Sequence, residues 1–126
     1  MITPLRAEKI GEKDGRAVWR LTMPLCYQGN ITVVVPFGFE TDFASVPRLP
    51  LAYWLCGDNA HEAATVHDYL YCIDANPNVT RKRADDTFLA IMEEMGESWW
   101  RRQIMHRMVR LFASGCFHVR KVDDPR

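Results

Sequence analysis

The chain has 126 residues, 48% hydrophobic and 25% charged, with 16 Lys and Arg against 16 Asp and Glu. A chain of this length buries roughly two-thirds of its unfolded surface as one domain, and this composition excludes a disordered polymer. The charge balance gives no strong nucleic-acid signal, no apolar run nears the ~20 residues of a membrane span, and Met1-Ile2-Thr3-Pro4-Leu5-Arg6 carries no signal peptide.

In chain order, Glu12-Lys13-Asp14-Gly15 reads as a hairpin turn, with Asp-Gly supplying positive φ. Arg16 to Met23 alternates, placing Ala17, Trp19, Leu21 and Met23 on one strand face. Gln28-Gly29-Asn30 is a second turn, and the β-branched run Ile31 to Val35 is a strand ended by Pro36. These signals predict a small antiparallel meander of three strands, followed by a polar loop up to residue 50. Beyond residue 50 the period becomes helical. Asn59 caps a helix to about Cys72, Thr80 caps a second from Arg81 to Met95, and Ser98 caps a third from Trp99 to about Ser114. The second helix carries Ala84, Phe88, Leu89 and Met92 on its apolar face. Phe117-His118-Val119 reads as a short closing strand. Strands followed by helices argue an α+β fold, taken as one domain over residues 1–126.

The densest chemistry lies in Ala63-Ala64-Thr65-Val66-His67-Asp68-Tyr69-Leu70-Tyr71. Small Ala63 and Ala64 let a second helix approach closely. His67 and Tyr71 share a helix face at i, i+4, whereas Asp68 lies ~100° around it. If the next helix packs back on the first, Asp85 faces His67. An imidazole held by a carboxylate is a general-base dyad; it is equally a satisfied core histidine bridging two helices.

A second segment, Glu40 to Arg48, gathers Asp42, Ser45 and Arg48 after a strand, as pocket-lining loops do. Structural turns have the same composition, because Asp42 can accept backbone N–H bonds. A nucleophilic Ser45 with His67 and Asp85 lacks a G-x-S-x-G elbow. For a metal, Asp68 with carbonyls near Gly57 is one candidate. The run Asp74-x-Asn76-x-Asn78-x-Thr80 echoes a calcium loop but places Val79 at the glycine position. His61 and His67 are wrongly spaced for zinc, and the four cysteines (Cys26, Cys56, Cys72 and Cys116) form no Cys-x-x-Cys pair and read as reduced thiols. In the last quarter, Trp100, Ile104, Met108 and Leu111 form an apolar stripe among Arg101, Arg102, Arg107 and Arg110. The expectation is a helix packed on the core by that stripe, with protein, lipid or nucleic-acid contact as the alternative.

Three ordered motifs carry a resemblance: Val35-Pro36-x-Gly38-Phe39-x-Thr41-Asp42-Phe43-Ala44-Ser45-Val46-Pro47-Arg48, then Ala64-x-x-His67-Asp68-Tyr69-Leu70-Tyr71, then Arg83-Ala84-Asp85-x-x-Phe88. From about Trp19 to Gly115 the chain resembles the phage and prophage proteins grouped as domain of unknown function 1353. The resemblance implies a bacteriophage late-gene accessory protein of virion, tail or lysis machinery. It would be made in the host cytoplasm, be carried in the virion, and have other phage proteins as partners. More remotely, the order of His67-Asp68, Tyr71 and Asp85 resembles the core of parvovirus-type phospholipases. That likeness implies His67 as base for an attacking water, Asp85 as its orienting acid, Asp68 as a calcium ligand, and lipid or a small ester as substrate; it implies no cofactor besides calcium. Those enzymes carry a glycine-rich calcium loop upstream, where this chain has Leu55-Cys56-Gly57-Asp58-Asn59. A non-catalytic structural subunit is the remaining reading.

Overall fold

A computed structural model describes residues 1–43 and 61–125. Asp14 and Gly15, at φ of 52° and 75°, turn the chain between β1 (Ala7–Lys13) and β2 (Arg16–Leu21). That pair of positive values is what a two-residue hairpin turn demands. Pro24 lacks the N–H needed to continue the ladder, and β2 ends at Leu21. The chain then forms a separate hairpin of β3 (Leu25–Gln28) and β4 (Thr32–Val35). A two-residue strand, β5 (Glu40–Thr41), returns to pair with β2 through Trp19 and Arg20. The expected single meander is therefore two antiparallel sheets, β1-β2-β5 and β3-β4.

Burial along β3 and β4 alternates, with Leu25, Tyr27, Val33 and Val35 inside. Along β2 it does not. Val18 and Leu21 are buried, Ala17 and Trp19 are half-buried, and Met23 is exposed beyond the strand end. Most of β1 is exposed, and its pairing with β2 slips between Lys9 and Gly11. An irregularity of this kind adds local twist, which breaks the one-face pattern anticipated for Ala17, Trp19, Leu21 and Met23.

Three helices follow: α1 (His61–Leu70), α2 (Arg81–Glu94) and α3 (Trp99–Phe112). Every residue of α1 from Ala63 to Leu70 is buried, so this is the inner helix, polar side chains included. The Thr80 hydroxyl caps α2 by accepting from the Arg83 N–H at 3.2 Å. Ser98 stands at the start of α3 but makes no side-chain capping bond. The Asn59 cap lies outside the described residues. Phe88, Ile91 and Met92 of α2 join Val66 and Leu70 of α1, Met105 and Val109 of α3, and the inner β residues in one core.

Two expectations fail near the C-terminus. The buried stripe of α3 is Met105 and Val109, not Trp100, Ile104, Met108 and Leu111. Polar tethers to α2 set the helix rotation: Arg110 reaches Asp85, His106 reaches Asp86, and Arg81 donates to the Val109 and Arg110 carbonyls. Residues 117–119 form no strand. A short 3-10 turn (Ser114–Cys116) follows α3, His118 adopts φ 57°, and the chain is tied to the loop after α1 by His118 N–H to Tyr71 O (2.7 Å) and Ile73 N–H to Arg120 O (2.9 Å). Among the described residues, Cys26 is a free thiol.

Candidate functional site

The last turn of α1 meets the first turns of α2, where Ala84 is buried; Ala63 and Ala64, a turn earlier on α1, are buried too and leave room for approach. There His67 Nε2 lies 2.7 Å from Asp85 Oδ1, both side chains being 0% exposed. The Tyr71 hydroxyl donates to the same oxygen at 2.5 Å. The other oxygen, Oδ2, accepts from Arg110 Nη1 at 2.9 Å and has Arg81 Nε at 4.0 Å. The rings of Tyr71 and Phe88 flank the imidazole at 4.2 and 5.0 Å between centroids.

Burial pushes the Asp85 carboxyl up, but the hydrogen bonds from His67, Tyr71 and Arg110 outweigh it and hold the group below the usual carboxylate range. An ionised carboxylate only accepts, so Nε2 carries a hydrogen and the lone pair of a neutral ring falls on Nδ1. Burial and the neighbouring Asp85 charge push the Tyr71 phenol up, which keeps it a donor. Because the Asp85 pKa is lower folded than unfolded, its contribution to stability is complete above the unfolded value of about 3.9 and drains away as pH falls through the folded value. Urea unfolding across a pH series should therefore show stability falling on the acid side below about pH 4, less steeply in Asp85→Asn. Equal acid slopes in the two proteins would contradict this.

Asp68 points to a different neighbourhood, as its place on the helix anticipates. Its Oδ2 accepts from the Thr41 hydroxyl at 2.6 Å and lies 3.5 Å from Arg120 Nη1. Arg120 is itself buried over the Phe39 ring and donates to the Glu40 and Asp124 carbonyls at 2.8 and 2.6 Å. An oxygen shared between a hydroxyl and a guanidinium does not suit a calcium ion. Among the described residues, moreover, no three His, Cys, Asp or Glu gather as ligands. The other half of the expected ligand set, the carbonyls near Gly57, lies outside the described residues. In the Asp74 to Thr80 run, the polar side chains serve turns and caps: Asp74 accepts from Val122 N–H and Asn78 donates to the Ile73 carbonyl, both at 2.8 Å.

Of the expected pocket lining, Tyr71 is in contact with both members of the pair, as above. Asp42 is buried at the end of β5, and Arg16 holds the adjoining backbone through the Phe43 carbonyl at 3.0 Å. Ser45 and Arg48 lie outside the described residues. The polar segment does touch α1, through Thr41 on Asp68 and Phe43 stacked on His61. Arg110 and Arg120 were not anticipated at either carboxylate. Arg81, four residues before Asp85 on one helix face, is the one cation that spacing alone could have found.

The family described as a protein of unknown function (DUF1353) matches residues 19–109, more than half of the chain. The chain belongs to the DUF1353 family. That span includes His67, Asp68, Tyr71 and Asp85, whereas Arg110 and Arg120 fall just beyond it. No curated protein and no solved structure matches this DUF1353 chain.

Proposed function

We propose that this chain is a bacteriophage accessory protein, of virion, tail or lysis machinery, whose His67–Asp85 pair is the general-base dyad of a hydrolase acting on a lipid or small ester. The reading rests on the 2.7 Å contact from Nε2 to a carboxylate that Tyr71 and Arg110 also hold in place. In this reading Nδ1 takes a proton from water as its oxygen bonds to the ester carbonyl, and Asp85 stabilises the imidazolium. The same proton then passes to the departing alkoxide. His67→Asn, which preserves much of the side-chain volume, should lower ester hydrolysis at least about 100-fold, the usual minimum for losing a positioned base. The assay uses phospholipid vesicles and a small chromogenic ester, each with added calcium or with chelator, so that it also reports whether the ion is needed. Absence of hydrolysis by the wild-type protein in every arm would overturn the proposal. Detection of the chain in purified particles tests its place in the virion and among other phage proteins.

Full burial of both side chains favours a second reading, in which the pair clamps α1 to α2 without turnover. Under it, the wild-type protein is inactive and His67→Ala lowers stability by roughly 1–3 kcal/mol, because it leaves Asp85 short of a donor.

A further inference from the structure

The geometry points to α3 as an interfacial helix that seats the protein on an anionic lipid surface. A helix turns about 100° per residue, which places Val109 about 180° from Trp100 and puts Arg107 and Leu111 within about 20° of Trp100. With Val109 and Met105 in the core, the opposite face presents Trp100 at 48% and Leu111 at 69% exposure. Trp99 at 66% and Phe112 at 61% stand at the two helix ends, about 100° and 120° to either side of Trp100. Ile104 and Met108 are half-buried between them. Exposed apolar side chains over a length of roughly 20 Å form a patch of the kind that marks an interaction site.

The charge pattern selects the occupant. Residues 99–112 contain Arg101, Arg102, Arg107 and Arg110 and no acid. Arg107 is exposed within the apolar stripe, and the Arg101 guanidinium lies 5.3 Å from the centroid of the Trp100 ring. On the exposed side Arg107 and Arg101 carry the charge, since Arg110 is held by Asp85 and Arg102 donates to the Glu97 carbonyl. A second copy of the chain would set those two against their equivalents with no acid on the helix to pair them, which like-charge repulsion opposes. A bilayer with anionic headgroups satisfies both features at once: tryptophan, leucine and phenylalanine enter the headgroup boundary while the guanidinium groups stay at the phosphates. The docking needs no chemistry at His67, so its failure and that of the hydrolase reading are separable.

The test is co-sedimentation of the full chain with vesicles of phosphatidylcholine alone or mixed with phosphatidylglycerol, at low and high salt. Binding is expected to the mixed vesicles, weakly to the neutral ones, and less in high salt as the charges are screened. Arg107→Glu and the Trp100→Ala, Leu111→Ala pair should each weaken binding at least about tenfold, the first by turning attraction to the headgroups into repulsion and the second by removing the apolar side chains that enter the boundary. These side chains lie outside the core, and unchanged circular dichroism would confirm folding. His67→Asn should bind like wild type. Absence of binding to mixed vesicles, or equal binding by the surface variants, would overturn the proposal. So would a concentration-dependent dimer that the Trp100→Ala, Leu111→Ala pair dissolves, because the second copy would then be the occupant.

Discussion

Replacing Asp85 with alanine should cost about 3–5 kcal/mol, the loss typical of removing one partner from a buried ionic cluster. The carboxylate receives His67, Tyr71 and Arg110 within 2.5 to 2.9 Å and sits where α1, α2 and α3 meet. Its removal strands a phenol and a ring nitrogen in the interior and takes the anion away from two arginines. The natural stability of a domain this size is roughly 5–15 kcal/mol, so the variant should unfold at a much lower urea concentration or fail to accumulate. Asp85→Asn keeps the shape but offers one acceptor where two stood, and should fall between alanine and wild type. Equilibrium urea unfolding of the three proteins checks the order; an alanine variant within about 1 kcal/mol of wild type would show that the cluster is not a structural junction.

The second large effect is expected at Arg120. Replacement with methionine keeps an apolar stem over Phe39 but removes the guanidinium that faces Asp68 and bonds the Glu40 and Asp124 carbonyls. Asp68, 2% exposed, then keeps its Thr41 bond but loses the Arg120 guanidinium. The cost should be about 3 kcal/mol, at the lower end for a buried pair because the contact distance of 3.5 Å is long. Arg120→Met combined with Asp68→Asn should be less harmful than the two single changes added together, since neither change then leaves a charge behind. Additive losses in that double-mutant cycle would dissolve the link between the two residues.

The β-then-helix order, the Asp14-Gly15 turn and the Thr80 cap were legible because each rests on near neighbours in the chain. The approach of His67 to Asp85 was legible for a related reason: alanines on one helix and a turn-rich connection over residues 71–80 to the next favour their packing side by side. Long-range partners were not legible. Arg110 and Arg120 sit among other basic residues with no periodic mark to separate a buried guanidinium from a solvated one. Hydropathy also misassigned α3. It carries two apolar stripes, and polar tethers from Arg110, His106 and Arg81 select the Met105 and Val109 side. The division of the β layer falls around Pro24, between the end of β2 at Leu21 and the start of β3 at Leu25.

The Arg120 contacts have a bearing on the order in which the chain can mature. Asp68 and Glu40 lie 52 and 80 residues before the arginine that they share. During synthesis both helices of the His67–Asp85 pair emerge well before that guanidinium does. Contacts of such long sequence separation close after local ones, so the tie from Arg120 to Asp68 and Glu40 follows the packing of the two helices rather than seeding it. A fragment trimmed to residues 19–109 would never make that tie.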